Sequence, residues 1–325
     1  MYPINPEKAN ASRFGKKIVT GMLLVCNIFF LVFLLKFPQE VLSASRDGLM
    51  IWFNNVLPAL LPFIVIVNIL TALNVVNYLA TWISPIMNIL FKLPGAGGFA
   101  FITGLISGYP MGAKAVGDLW HEKKINTYEA QNLLTFCNNA GPLFIIGVVG
   151  VGMLGNRRIG YILWLGHISA AILVGFITRF RGEWHKTNST YRAIPSLKIP
   201  NIGILLGDAV KNAMDALVVV GGLIIFFSVV TRAIIMVVGD LQYVGLLAGI
   251  IEVTGGVKML AEKMDTSIGL GLIGGIIAFG GLSVHAQALH FTTGTGIKAG
   301  QYILFKGLNG IFAGFITWFL SGLLL

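Results

Sequence analysis

The chain has 325 residues, of which 56% are hydrophobic and 11% charged, with a mean hydropathy of +0.83 and a formal net charge of +10. That balance excludes an ordinary soluble domain. The basic surplus sits in short loops, as a topology signal does, and not on a nucleic-acid surface. Residues 48–91 and 266–297 hold no Asp, Glu, Lys or Arg. Each run exceeds the ~20 apolar residues a membrane helix needs. The expected class is an all-α polytopic membrane protein of about 8 membrane helices plus re-entrant hairpins, estimated from span length.

In chain order, the first apolar run, Ile18 to Leu35, follows Lys8, Arg13, Lys16 and Lys17 and is closed by Lys36-Phe-Pro38. No small-residue cleavage site ends it, so it reads as a retained helix over 18–37 with a cytoplasmic N-terminus. A mostly apolar stretch over 46–73 contains Pro58 and Pro62, and Val75 to Leu93 is expected to break at Ser84-Pro85. The turn cluster Leu93-Pro-Gly-Ala-Gly-Gly98 then opens Phe99 to Ala113. That piece is too short for a complete crossing and suits a re-entrant hairpin. Asp118 to Gln131 is charged and helix-prone, and is expected to leave the membrane.

Residues 133–156 are apolar but interrupted at Asn138-Asn139 and Gly141-Pro142, and a clean span follows from Ile159 to Ile177. The loop 179–198, with Arg179, Arg181, Lys186, Arg192 and Lys198, reads as a cytoplasmic linker. Beyond it come an amphipathic lead-in from Asn201 to Asp215, a span from Ala216 to Val238, a second hairpin over 245–263, and Ile268 to Phe291 broken at Gly280-Gly281. The last span, Tyr302 to Leu325, carries a GxxxG packing face at Gly310 and Gly314. This divides the chain into N-terminal helices (1–95), repeat 1 (96–180), a linker (181–200) and repeat 2 (201–325).

The repeat rests on a doubled pattern. Gly104-Leu-Ile-Ser-Gly-Tyr-Pro-Met-Gly-Ala-Lys114 precedes Cys137-Asn-Asn-Ala-Gly-Pro-Leu-Phe144, and Gly249-Ile-Ile-Glu-Val-Thr-Gly-Gly-Val-Lys258 precedes Gly280-Gly-Leu-Ser-Val-His-Ala-Gln-Ala-Leu-His290. Broken polar backbone at membrane depth is tolerated only where it lines a cavity or is buried in protein. Two such breaks in corresponding halves point to a transporter's binding site.

The candidate substrate-binding residues are therefore Ser107, Gly108, Tyr109, Pro110, Lys114, Asn138, Asn139, Thr254, Ser283, His285 and Gln287. Asn138 and Asn139 either line substrate or make an interhelical hydrogen bond at a kink. Lys114 either charges the site or snorkels to the interface. Glu252, the sole carboxylate within 241–257, either relays a proton or sodium ion or pairs with Lys258. His167 reads as a structural hydrogen-bonding residue. His285 and His290 are five apart, which turns them to different helix faces and weighs against a metal site. Gly269-Leu-Gly-Leu-Ile-Gly274 matches GxGxxG but has no preceding strand, and no Walker loop or nucleophile–base triad occurs. No enzyme activity and no cofactor are expected. Transport would be coupled to a sodium or proton gradient. The expected partners are a small-molecule anion and the lipid bilayer, with no nucleic acid; a homo-oligomer is left open.

Phe53-Asn-Asn-Val-Leu-Pro-Ala-Leu-Leu-Pro-Phe63, the Ser-Gly-Tyr-Pro-Met-Gly-Ala-Lys string ending at Lys114, and Cys137 to Phe144 resemble the family of sporulation integral membrane proteins known as YlbJ or SpoVV. The resemblance runs from about residue 45 to 320, and the Ser-Gly-Tyr-Pro string is its most specific part. It implies a nucleoside-recognition Gate domain, similar to concentrative nucleoside transporters, in which two hairpins and two unwound helices hold the substrate. By that likeness 97–115 is the first hairpin and 133–156 the first broken helix. Their counterparts are 245–263 and 268–291, with Gly280 to Gln287 as an alternative second tip. Ser107-Gly-Tyr-Pro110 stands where nucleoside transporters carry an acidic tip. The implied role is movement of dipicolinic acid across the outer forespore membrane.

Overall fold

In the computed structural model, the described residues are 21, 24–25, 27–73, 75–181, 201–239, 244–263 and 266–325. The basic N-terminal cluster, Cys26 and most of the linker, with Lys186, Arg192 and Lys198, lie outside them. The cytoplasmic placements expected for those segments therefore fall there too. The described residues fold into helices, with no strand among them.

They form α1 (Asn27–Lys36), α2 (Pro38–Ala72) and α3 (Val75–Ile86, continued by a wide turn over Met87–Phe91). A helical pair α4 (Gly97–Ser107) and α5 (Met111–His121) is followed by α6 (Thr127–Cys137), α7 (Leu143–Met153) and α8 (Arg157–Thr178). After the linker come α9 (Ile202–Val238), the pair α10 (Val244–Ile251) and α11 (Val253–Lys263), then α12 (Ser267–Phe279), α13 (Gly281–Phe291) and α14 (Ala299–Leu324). Five stretches among the described residues are long and apolar enough to cross a membrane: α2, α8, α9, α12 with α13, and α14. The chain is an integral membrane protein.

Two local expectations are overturned, the break at Ser84-Pro85 and the separate lead-in over 201–215. Pro58 and Pro62 lie inside a continuous α2, and the helix widens to π geometry over Trp52–Val56 just before Pro58. A wider turn relieves the clash between a proline ring and the preceding carbonyl. Pro85 likewise stays inside α3, and the wide turn follows it. The lead-in 201–215 is no separate element: Ala209, Ala213, Ala216, Leu217, Val220 and Ile224 keep one buried face in register along a single 37-residue α9. Asp118 to Gln131 is two helices joined by a turn. Asn126 and Glu129 form a reciprocal cap that starts α6, and Glu129, Gln131 and Asn132 are buried.

Around the centre, α14 packs on α6, α8 and α12, while α2 lies along α9. Trp52 Nε1 donates to the Leu217 carbonyl and Asn68 Nδ2 to the Ala209 carbonyl, both at 3.0 Å. Arg232 of α9 pairs with Glu40 of α2. These bonds hold the two longest helices as one wall beside the paired and broken helices.

Candidate functional site

Helices α4 and α5 pack against each other and reverse at Gly108-Tyr-Pro110, where Gly108 takes φ +79°. Helices α10 and α11 reverse at Glu252. Each reversal rests on a break in another helix. Gly108 lies against the Gly141 backbone, between α6 and α7. Gly281, at φ +71°, lies between α12 and α13, where an added Cβ would stand 3.2 Å from the Ile251 carbonyl and the Val253 N–H. Positive φ with backbone on the far side leaves room only for glycine.

The two tips and two breaks meet at one cavity. Its walls are Ser107 and Tyr109 from the first tip, Gly141 and Phe144 from the first break, Glu252 to Thr254 from the second tip, and Ser283, Val284 and Gln287 from the second break. Val56 and Leu60 of α2 with Val220 and Ile224 of α9 close it. The space is about 30 Å³, enough for a water molecule. Ser107 Oγ, Tyr109 OH, Ser283 Oγ and Gln287 Oε1 have no protein partner. Four helices, α5, α7, α11 and α13, begin beside this space, and helix N-termini favour negative charge. Glu252 satisfies one of them: its Oε1 accepts from Thr254 N–H at 2.9 Å and its Oε2 from Gly255 N–H at 2.6 Å.

Asn138, Asn139 and His285 sit behind the cavity wall. Asn138 Nδ2 donates to Tyr302 OH at 2.8 Å, and Asn139 Nδ2 donates to the Phe136 carbonyl at 2.6 Å. His285 stands edge-on between Phe279 and Tyr302. His167 Nε2 accepts the Ala140 N–H at 3.1 Å, so it pins the first break. Gly108 and Pro110 shape the first tip without joining the lining.

Lys114 does not reach the cavity. It is paired with Asp118 one turn along α5 at 2.7 Å, and its side chain is 42% exposed. An exposed i,i+4 pair is worth less than about 1 kcal/mol. Lys114→Ala is therefore expected to leave substrate affinity and melting temperature nearly unchanged, measured side by side in the purified protein. Glu252 likewise has no Lys258 partner; it caps α11 instead.

The residue that the sequence reading passed over is Lys306. It is 1% exposed inside α14, and its Nζ donates to the Asn138 carbonyl at 3.0 Å. The signal was present, since a lone lysine within a span is itself a functional pointer.

A protein-family model described as Gate, nucleoside recognition, matches residues 53–178, which include the first tip and first break. The sporulation integral membrane protein YlbJ of Bacillus subtilis (strain 168) is 31% identical over 332 aligned residues, covering 91% of this chain and 81% of that protein. The chain belongs to the YlbJ family of sporulation membrane proteins. No solved structure matches it. The YlbJ match covers 91% of this chain, so it extends past the Gate match into the second half.

Proposed function

We propose that this YlbJ-family protein is a transporter of a small organic anion, dipicolinate being the substrate the resemblance implies, working in the outer forespore membrane. The observation that carries this reading is the convergence of two hairpin tips and two helix breaks on one cavity. Unpartnered hydroxyls and helix N-termini give that cavity a preference for negative charge. Residues 96–180 and 201–325 act as two repeats of one unit, a hairpin followed by a broken helix and a closing span. Short hairpins that do not cross bring the count to about eight membrane helices, as estimated from segment length.

A cavity of about 30 Å³ is too small for an aromatic diacid, so the tips must part for substrate to enter. Glu252 also lines a larger cavity of about 470 Å³ between α2, α9 and α11. The second tip is thus the wall between the two spaces, and access runs through the larger one. Spores of a deletion strain are expected to lose most of their dipicolinate. Normal dipicolinate content in intact deletion spores would contradict the substrate.

A further inference from the structure

Lys306 poses a problem that packing does not answer. A buried ammonium ordinarily needs a carboxylate, because desolvation costs several kcal/mol. Among the described residues no carboxylate pairs with Lys306; the ion pairs there, Lys114–Asp118, Lys124–Glu122 and Arg232–Glu40, join exposed side chains. Its hydrogen bond goes to a neutral carbonyl. It also stands in a row. Tyr302, Lys306, Asn309, Thr317 and Ser321 share the inward face of α14, each at most 1% exposed. The first and last are nineteen positions apart, which is about 28 Å of helix, close to the ~30 Å bilayer core.

Interhelical hydrogen bonding would explain such a row if its members were bonded across the interface. Only Tyr302 and Lys306 are, both to Asn138; both amide atoms of Asn309, Thr317 Oγ1 and, beside the row, both ring nitrogens of His285 lack a protein partner. Each unsatisfied buried group costs about 1–3 kcal/mol. The groups facing Lys306 are Cys137 on α6, His167 on α8, His285 on α13 and Tyr302 on α14 itself, and α12 contributes no titratable side chain. None is a carboxylate or a second fixed cation.

We propose that Lys306 is the residue at which the protein takes up and releases the proton that drives its cycle, with the polar face of α14 and His285 as the route to it. The exchange needs only water: the ammonium gives one N–H proton to a water molecule and becomes a neutral amine, and the reverse step recharges it. The link to the cavity is direct. Asn138 is the C-cap of α6, so its carbonyl sits at the negative end of that helix. A charged ammonium holds this carbonyl more strongly than a neutral amine does, and Gly141, three residues on, lines the cavity. Glu252, whose oxygens are both engaged in capping α11, is not needed as the coupling group.

This inference names the coupling ion of the transport reading and rests on it, so the test separates the two. Melting temperatures of purified wild type, Lys306→Met and Lys306→Arg are compared over a pH series, which requires no substrate. The difference between wild type and Lys306→Met should change with pH; a difference constant across the series overturns the proposal. In proteoliposomes, labelled dipicolinate is followed in gradient-free counterflow and under an imposed pH gradient. Wild type should do both. Lys306→Arg keeps a charge that does not titrate, so it should retain counterflow and lose accumulation driven by the pH gradient. Accumulation by Lys306→Arg at wild-type level, or wild-type accumulation that follows sodium and ignores pH, overturns the proposal. If wild type shows no counterflow, the substrate reading fails and the pH series alone decides the role of Lys306.

Discussion

Gly104→Ala is expected to disrupt the first hairpin, lowering stability by about 3 kcal/mol or more, the upper end of overpacking effects. Gly104 and Gly112 face each other across α4 and α5, and the carbonyl of Cys137, the last residue of α6, sits against both. A Cβ on either would overlap that carbonyl oxygen. The neighbour is backbone, at the edge of the first break, so no side-chain rotation can relieve the clash. The measurement is the melting temperature in detergent, with Gly222→Ala as control. Gly222 lies mid-helix in α9 with nothing near its Cβ position, so that change should be neutral or slightly stabilising. Equal melting temperatures for Gly104→Ala and the control would show that the hairpin does not pack as described.

Ser283→Leu is expected to abolish transport while the protein still inserts and melts near the wild-type temperature. Ser283 is 1% exposed on the cavity wall, and its hydroxyl has no protein partner, so its loss removes no existing protein hydrogen bond. Leucine would fill the space and withdraw a donor from the substrate. Overpacking of about 1–3 kcal/mol against bound ligand corresponds to roughly a 5- to 160-fold loss of affinity. Binding of dipicolinate by titration calorimetry, run beside the melting curve, separates a site effect from a folding effect.

The features most legible in the sequence were those where the backbone must do something unusual at membrane depth. Gly104 to Lys114, the Asn138 to Pro142 interruption and Gly280-Gly281 all mark reversals or breaks, because glycine with adjacent polar residues has few other uses inside an apolar run. Six of the candidate site residues, Ser107, Tyr109, Glu252, Thr254, Ser283 and Gln287, line one cavity. Proline was a poorer guide. Pro85 was expected to break its segment and instead lies within a continuing helix, as Pro58 and Pro62 do, since wide turns and neighbouring helices absorb the missing donor in a membrane bundle. Charge misled in both directions. Lys114 stood out beside a conspicuous motif yet turns outward to Asp118. Lys306 lay in an ordinary-looking span, and only the tertiary packing of α14 on α6 shows that its ammonium reaches the first break. The length of α9 was hidden for a similar reason. Asp208, Lys211 and Asp215 suggested a surface piece, while the small residues that carry its buried face were inconspicuous.

The meeting point of the two tips and two breaks is expected to pass a small aromatic anion. The most direct test is saturable flux into proteoliposomes holding the purified protein, with dipicolinate and a nucleoside assayed in parallel. Saturable dipicolinate flux above that of empty liposomes, lost in Ser283→Leu and retained in Lys114→Ala, is the predicted result. Dipicolinate flux no greater than in empty liposomes, or saturable flux of the nucleoside alone, would contradict it.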